Sequence, residues 1–425
     1  MRPLLYNHAM RFSHTLVLIA ALALSGCNGK SSDVSAEGIP SPTPFQPQGS
    51  AESDPLFSAP APTPLNLPTT TPIPTEIVIL PETLPEGVDV NSFAISGALN
   101  PLTGLPPADP SLLNRRPMAI KVANYPRYMR PQSGLTLADQ VFEYYIEDGL
   151  TRFIAVFYGN DSEWVGPVRS GRYFDEHIQR MYQAYLVFKF ADPRELDYFK
   201  ASDFAKFLVT PTNGLCPPFH FLPERINTVE EYNNSYFDTV RWKDCVTNNG
   251  MDNNHPYIRN GYYSDAAPAG DLPGTKINTY YSVDSYHYWE YNSNLHLYYR
   301  YQEINDSRDG EDEFAPLVDR VTGAQVGASN VIVLFVTHTF ANAYDEDDEV
   351  FQIDLTGSGE AYVFRDGVGI LAKWYRTNRD QPLLLTTLGG SPIYMRPGIT
   401  FYEVIGSRSY VDQGDGEWSF RHDWP

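Results

Sequence analysis

The strongest constraint on the fold is a run of alternating residues over 140–158, interrupted only by Asp148-Gly149. Alternating apolar and polar positions are typical of strands, and Asp-Gly between two such runs predicts a two-residue hairpin turn. With that turn, Tyr145 would lie opposite Arg152 on the paired strand. The sequence therefore predicts a hairpin with one apolar, core-facing side and one charged side.

The charged side of this hairpin would carry Glu143, Glu147 and Arg152. Arg152 would reach both carboxylates as diagonal cross-strand neighbours. Two interpretations remain open: a structural ion network, or a site where a glutamate acts on a ligand that Arg152 orients. Two carboxylates two positions apart on one strand are separated by about 7 Å along it, a spacing that does not distinguish a metal site from acid–base chemistry.

A second polar motif, GPVRSGRYF, follows the hairpin. A helical pattern predicts a helix from Gly171 to Tyr185 with Ser170 as its N-cap. Arg169 and Arg172 flank that helix start, where free backbone N–H groups and the helix dipole favour an anion. The balancing anion would be either a bound phosphate or carboxylate, or a carboxylate of the protein itself.

The N-terminus has the pattern of a secretory signal. A basic region precedes the apolar run 15–24, which is too short to span a bilayer and is followed by Ser25, Gly26 and Cys27. This arrangement resembles a bacterial lipobox, which implies cleavage before Cys27 and diacylglycerol on its sulfur. We predict a lipoprotein signal peptide over 1–27 and a lipid anchor at the extracytoplasmic face of the cell membrane.

Composition separates a tether from a folded body. Residues 28–96 are rich in Pro, Ser, Thr and Ala, which predicts a disordered tether. The net charge of −21 excludes the basic footprint that nucleic-acid binding needs. The chain has 29 Tyr and 23 Phe, residues that suit a β-rich fold.

Two of the three cysteines are left once Cys27 carries the lipid. Cys216 and Cys245 would form a disulfide in an oxidising compartment, or would remain thiols in a host with weak oxidising machinery.

Three segments carry a family resemblance: RPQSGLTLAD at 130–139, DGLTR at 148–152 and GPVRSGR at 166–172. They resemble the YerB-like lipoproteins, a bacterial family of unknown function, and the resemblance extends over 100–405. It implies an extracytoplasmic lipoprotein of two parts and no established reaction. Residues 188–195 depart from the Gly-rich, His-containing strand end of the family, which weakens the transfer of a catalytic role.

The resemblance and the strand patterns together predict the fold class. Residues 276–302 alternate around a polar turn and predict a Tyr-rich hairpin, and further short strands predict an antiparallel sheet or barrel. We expect an α+β or α/β fold: a mixed-sheet α/β N-terminal domain over 97–268 and a β-rich antiparallel C-terminal domain over 269–412. Residues 413–425 are predicted as a C-terminal tail.

No nucleotide-binding loop, nucleophile motif or metal-ligand spacing is present in the sequence, which therefore predicts no cofactor and no metal. We expect a ligand site at one end of the N-terminal sheet. Its predicted residues are Arg130, Gln132, Asp139, Glu143, Glu147, Arg152, Arg169, Ser170 and Arg172.

These features favour a binding protein of the cell envelope over an enzyme. Its ligand would be a cell-wall glycan, a peptide or another anion. Two alternatives stay open: an envelope hydrolase or transferase that uses Glu143 or Glu147, and a purely structural partner of another envelope protein.

Overall fold

The structure is a computed structural model that describes residues 99–423 except 213, 255–257, 259–261, 269–271, 309–311 and 342–348. The predicted signal peptide, the predicted lipid attachment at Cys27 and the predicted tether lie outside these residues. No helix within the described ranges is long and apolar enough to cross a membrane.

The described residues contain three α-helices: α1 Asp175–Tyr182, α2 Pro193–Ala201 and α3 Thr239–Asn248. Carboxylates cap α2 and α3, because Asp192 accepts a hydrogen bond from the backbone of Arg194 and Asp238 accepts one from that of Arg241. Short 3-10 helices lie at Pro110–Asn114, Arg127–Met129, Leu135–Leu137, Ala205–Phe207, Pro223–Arg225 and Glu231–Asn233.

The strands far outnumber the helices in the described part of the chain. In chain order they are β1 Met118–Ala123, β2 Gln140–Tyr145, β3 Thr151–Phe157, β4 Tyr185–Val187, β5 Leu208–Val209, β6 Phe219–His220, β7 Tyr236–Phe237, β8 Tyr262–Tyr263, β9 Lys276–Ser282, β10 Ser285–Asn292, β11 Leu297–Glu303, β12 Phe314–Pro316, β13 Gly327–Ala328, β14 Asn330–Phe340, β15 Phe351–Asp354, β16 Gly357–Arg365, β17 Val368–Arg376, β18 Leu384–Thr387, β19 Tyr394–Met395, β20 Thr400–Gly406, β21 Tyr410–Gly414 and β22 Glu417–Arg421.

Two large sheets organise these strands. An 11-stranded sheet has the order β18-β17-β16-β14-β20-β2-β3-β1-β4-β5, with β15 paired to the far end of β14. A 7-stranded sheet has the order β12-β11-β10-β9-β22-β21, with β13 paired to β11. The pairs β8–β19 and β6–β7 form two further small sheets.

The predicted strand-rich, mixed-sheet character agrees with the structure, but three details differ. The C-terminal half is not an antiparallel sheet of its own: β20 lies parallel to both β14 and β2, and so joins strands from the two predicted domains in one sheet. The predicted hairpin over 276–302 consists of three strands, because Val283 and Asp284 form an additional turn. Residues beyond 412, predicted as a tail, include β22, which pairs with β9.

The hairpin formed by β2 and β3 has a different register from the predicted one. Tyr144, not Tyr145, lies opposite Arg152. The Ile146 N–H donates to the Leu150 carbonyl at 2.9 Å, so the loop contains three residues, and Asp148 and Gly149 both adopt positive φ angles. A one-residue shift moves every side chain of a strand to the other face. Glu143 and Arg152 therefore lie on opposite faces of the sheet, and the predicted single charged face is wrong.

The large sheet is covered on both faces near this hairpin. On one face the 7-stranded sheet packs against it, with the Trp289 ring 4.8 Å from the Phe401 ring. On the other face α1 approaches, and the Phe174 ring that precedes it lies 4.4 Å from the Tyr144 ring. The charged side chains of Glu143 and Arg152 are consequently enclosed between layers.

Cys216 and Cys245 are joined by a disulfide in the structure. It connects the loop before β6 to α3. Of the two alternatives that the sequence left open, the structure contains the disulfide.

The end of β14 buries an imidazole in an apolar environment. The His338 ring is 6% exposed, its Nδ1 lies 2.9 Å from the Val336 carbonyl oxygen, and the His422 ring is 5.0 Å away. Burial lowers the pKa of His338 from 6.5 to about 4. At pH values between these two pKa values, the His338 imidazole binds a proton in the unfolded chain but not in the folded chain.

We predict that His338 makes the protein less stable as the pH falls from about 6.5 towards 4. In this window the free energy of unfolding decreases by up to about 1.4 kcal/mol per pH unit on account of this residue. Replacing it by a non-ionisable ring, His338→Phe, should make the slope of stability against pH shallower by that amount. Urea unfolding at several pH values measures the slope.

The control for this prediction is His338→Gln, which packs differently but also lacks a titrating proton. Both variants should show the same change of slope even though their stabilities at neutral pH differ. A slope identical to that of the wild type in both would contradict the prediction.

Candidate functional site

The Glu143 side chain belongs to a buried ion network between the two large sheets. Glu143 on β2 and Glu403 on β20 are direct neighbours in register. The Arg300 guanidinium, from β11, lies 2.6 Å from a Glu143 oxygen and 3.3 Å from a Glu403 oxygen. Each of these three residues is 0% exposed. One guanidinium therefore lies between two carboxylates that have no access to solvent, and burial raises the pKa of Glu403, which favours its uncharged form.

The surroundings of Arg300 complete this network. Its Nε and Nη2 donate to the Gln302 side-chain oxygen at 2.8 and 2.6 Å, and its charge lies 5.1 Å from the centre of the Phe153 ring. Glu403 also accepts hydrogen bonds from the indole of Trp289 and the hydroxyl of Tyr281. Arg300 and Glu403 are thus both bound by groups of the protein itself.

His287 adds a metal-ligand type to the same cluster. Its Nε2 lies 2.9 Å from Glu403, and together with Glu143 the three residues form a group whose ligand atoms lie within 4.8 Å of one another. These donors suit a divalent cation, but Arg300 already occupies the position of the counter-charge. Burial, followed by the charge of Arg300, lowers the pKa of His287, so the imidazole is neutral. The cluster fits a structural ion network better than a metal site.

Glu147 and Arg152 lie on the opposite side of the sheet. Arg172 donates from Nε to Glu147 at 2.7 Å, and Arg152 lies 3.4 Å from the same carboxylate. Burial raises the pKa of Glu147, but the charges of Arg172 and Arg152 outweigh this effect, and the pKa is lowered overall. Arg172 also lies 3.6 Å from Glu195. Both arginines therefore have carboxylate partners within the protein, as the structural interpretation of the sequence expected.

The beginning of α1 differs from the predicted anion site. The helix starts at Asp175, preceded by Phe174, so Ser170 is not its N-cap. The Asp175 carboxylate accepts the backbone N–H of Arg172 at 2.9 Å and forms an ion pair with the buried Lys121 at 3.0 Å. The Ser170 carbonyl accepts a hydrogen bond from Arg152. Protein carboxylates thus occupy this helix start.

Three further predicted residues are also engaged inside the fold. Arg130 donates to the Glu303 carboxylate at 2.7 Å. Gln132 is buried and donates to the Ala123 carbonyl at 3.1 Å. Asp139 accepts the backbone N–H of Gly159 at 2.9 Å, and burial raises its pKa to about 6. The structure does not bring these three together with Glu147 and Arg172 in one open site.

Arg169 is the exception within the predicted set. Among the described residues its guanidinium forms no ion pair or hydrogen bond, and its buried Nε has no partner. Its charge lies 5.6 Å from the centre of the Tyr232 ring. Burial lowers its pKa. An arginine that is partly desolvated and forms no ion pair with a carboxylate is stabilised when an anion binds to it.

A second cation, Lys189, lies close enough to Arg169 for each charge to disfavour the other. Its Nζ donates to the Glu231 carbonyl at 3.2 Å and lies 5.4 Å from the Phe190 ring and 5.9 Å from the Phe221 ring. Within the part of the chain that the structure describes, Lys189 forms no close ion pair, although the charge of Glu231 lies near enough to favour its protonated form.

Exposed aromatic side chains surround these two cations. The exposed fractions are 53% for Tyr128, 57% for Phe190, 41% for Phe221 and 50% for Tyr232. We call the group the aromatic–cation patch; it consists of Tyr128, Arg169, Lys189, Phe190, Phe221 and Tyr232. Of these, sequence reasoning identified only Arg169. The signal that could have been used is the density of aromatic residues in 188–190 and 219–232, but their exposure depends on tertiary structure.

Two models of one protein family match the sequence of this chain. Residues 102–252 match the family described as "Protein of unknown function (DUF3048) N-terminal domain", and residues 277–402 match the corresponding C-terminal domain. The chain belongs to this family. Both of its matched segments contribute strands to the 11-stranded sheet.

The resemblance to the YerB-like lipoproteins is confirmed by two similar proteins. The chain is 26% identical over 328 residues to the Bacillus subtilis (strain 168) protein named "Putative lipoprotein YerB", covering 75% of this chain and 89% of that protein. It is also similar to the crystal structure of YerB protein from Bacillus subtilis, with a TM-score of 0.58 and 23% identity over 72% of this chain and 96% of that one. The latter similarity concerns the fold.

We predict that Arg300→Met destabilises the protein by about 3–5 kcal/mol, because it leaves two buried carboxylates without their cation. Urea unfolding of the lipid-free chain, residues 28–425, measures the change. The matched control is Arg241→Met: Arg241 has an exposed side chain on α3, and its loss should change stability by no more than about 0.5 kcal/mol. Equal stabilities of the two variants would show that the buried network is dispensable.

Proposed function

We propose that this chain is a membrane-anchored lipoprotein of the cell envelope that binds an anionic ligand at the aromatic–cation patch. The observation that carries the proposal is the difference between Arg169 and the other predicted arginines. Arg130, Arg152 and Arg172 each have a carboxylate partner, whereas Arg169 has none among the described residues.

The electrostatics of the patch support an anionic ligand. Arg169 and Lys189 lie near each other in a protein whose net charge is −21. Each raises the cost of keeping the other charged, and the Glu230 and Glu231 carboxylates offset part of that cost. An anion that contacts both cations would relieve the rest. Guanidinium groups bind phosphate and carboxylate with two parallel hydrogen bonds, which gives this position its selectivity.

The exposed rings of the patch support a ligand that also has an apolar or ring-containing part. Aromatic residues and arginine are the residue types most enriched at sites that dominate binding energy. A ligand that combines an anionic group with such a part, as carboxylated cell-wall peptides and glycans do, matches both features of the patch.

The alternative of a hydrolase or transferase is less well supported by the positions of the two candidate carboxylates. Glu143 is fully buried beneath the 7-stranded sheet and paired with Arg300. Glu147 is held by Arg172 and Arg152, which keep it ionised. A general acid or base needs contact with a substrate proton, and neither carboxylate is free to make it.

Anchoring by lipid on Cys27 is the second part of the proposal. It rests on the lipobox-like residues before Cys27 and on the name of the Bacillus subtilis relative. Such an anchor would hold the folded body at the extracytoplasmic face, with residues 28–96 as the spacer.

The binding proposal predicts that Arg169→Gln weakens binding of an anionic probe about tenfold or more. Suitable probes are a soluble muropeptide with free carboxylates, citrate and inorganic phosphate, titrated calorimetrically into the lipid-free chain. Binding should also weaken as salt is added, because both cations are partly exposed.

The matched control for Arg169→Gln is Arg241→Gln, which removes an exposed arginine outside the patch. It should bind the probes as tightly as the wild type. If none of the three probes binds the wild type, or if both variants bind alike, the patch is not an anion site.

For the anchor, we predict that Cys27→Ser abolishes incorporation of a fatty-acid label and releases the chain from the membrane fraction. The double variant Cys216→Ser/Cys245→Ser should keep the label, because the lipid attaches to Cys27 alone. Labelling of Cys27→Ser at the wild-type level would contradict lipidation at this residue.

A further inference from the structure

A second concave surface lies outside the aromatic–cation patch, where the α1–α2 region faces the end of β14. It is a cleft with a volume of about 310 Å³. Its floor is formed by Thr337 and Thr339 of β14 and by Gln352 and Asp354 of β15. Residues from both matched family segments line the cleft, so neither segment forms it alone.

The floor presents a regular grid of polar groups. Thr337 pairs with Asp354 across the two strands, and Thr339 pairs with Gln352. All four side chains are exposed and point to the same side. Strand geometry spaces such side chains by about 5 Å across the pair and about 7 Å along each strand. The grid therefore covers an area comparable to one or two sugar rings.

The polar groups of the floor are available to a ligand. Within the described residues, the hydroxyls of Thr337 and Thr339 and the Gln352 amide make no side-chain hydrogen bond, and Asp354 accepts one bond from the backbone of Thr356. Hydroxyl and amide groups both donate and accept, and a carboxylate accepts. This mixture complements ligands whose own groups both donate and accept.

The charged wall of the cleft is already neutralised. Glu176 forms an ion pair with Arg180 at 2.5 Å and also accepts a hydrogen bond from the Tyr198 hydroxyl. The His177 Nδ1 lies 2.8 Å from Arg376, and burial lowers the pKa of His177 to about 4, so its imidazole is uncharged. No lysine or arginine is among the described residues that line the cleft, and the remaining charge at Asp354 disfavours anions.

Two tyrosine rings form the side of the cleft. Tyr173 and Tyr198 pack edge to face with their ring centres 5.3 Å apart, and Tyr198 is 39% exposed. Such rings provide an apolar face with a polar tip, which suits the alternation of C–H and hydroxyl groups on a sugar. The volume lies at the lower end of the range for small-molecule sites.

We propose that this cleft binds a neutral oligosaccharide, with the Thr337, Thr339, Gln352 and Asp354 side chains contacting its hydroxyl groups. This site is distinct from the aromatic–cation patch and takes a ligand of different charge. A failure of anion binding at Arg169 would therefore not contradict sugar binding in this cleft, and the reverse also holds.

The test uses the lipid-free chain, which contains every described residue, and a panel of chitotriose, cellotriose and maltotriose. Saturation-transfer NMR detects binding, and calorimetric titration measures the dissociation constant. We expect at least one of the three sugars to bind with a dissociation constant of about 1 mM or tighter. Trigalacturonate, the anionic comparison, should bind at least about tenfold more weakly because of Asp354.

Two variants of the cleft floor, Gln352→Ala and Thr339→Val, should each weaken the sugar about tenfold, since each removes hydrogen-bonding groups without changing a buried residue. Gln413→Ala is the matched control, an exposed glutamine on β21 outside the cleft, and should bind as the wild type. Arg169→Gln should also leave sugar binding unchanged.

Three results with the sugar panel and the two floor variants would overturn the proposal. They are the absence of binding by all three neutral sugars, equal affinity for trigalacturonate, and binding that Gln352→Ala and Thr339→Val leave unchanged. Loss of sugar binding in Arg169→Gln would also overturn it, by relocating the sugar to the patch.

Discussion

The ion pairs between Arg300 and the two carboxylates Glu143 and Glu403 determine how the large sheets can pack. The arginine comes from the 7-stranded sheet and both glutamates come from the 11-stranded one. None of the three has contact with solvent, so each depends on the others for compensation of its charge. The face-to-face packing of the sheets is consequently tied to one register, because sliding either sheet would leave a buried charge without a partner.

The 11-stranded sheet divides the polar residues of its central hairpin between two separate networks. Glu143 contacts Arg300 on one face, whereas Glu147 contacts Arg152 and Arg172 on the other. This division explains why the predicted cluster does not form a single site. It also leaves Arg169 without an ion pair among the described residues, close to the Glu147 network but with its guanidinium over the Tyr232 ring.

Local patterns predicted strands of the fold but not their partners. Alternation located β2 and β3 to within two residues, because it reflects only which side chains are buried. The register of the hairpin depended on a single extra loop residue at Glu147, which the Asp-Gly signal did not reveal. The contact between Glu143 and Arg300 joins distant parts of the chain, and no local spacing encodes it.

The position of β20 has a consequence for how the protein is made. This strand lies between β2 and β14, and it follows both of them in the sequence, so it is synthesised after them. Until it arrives, β2 and β14 each present an unpaired edge, and the sheet cannot close. Unpaired edges are sites of mispairing between chains. The central sheet is therefore completed only when β20 has been delivered, so the stability of β2 depends on a strand that follows it much later in the sequence.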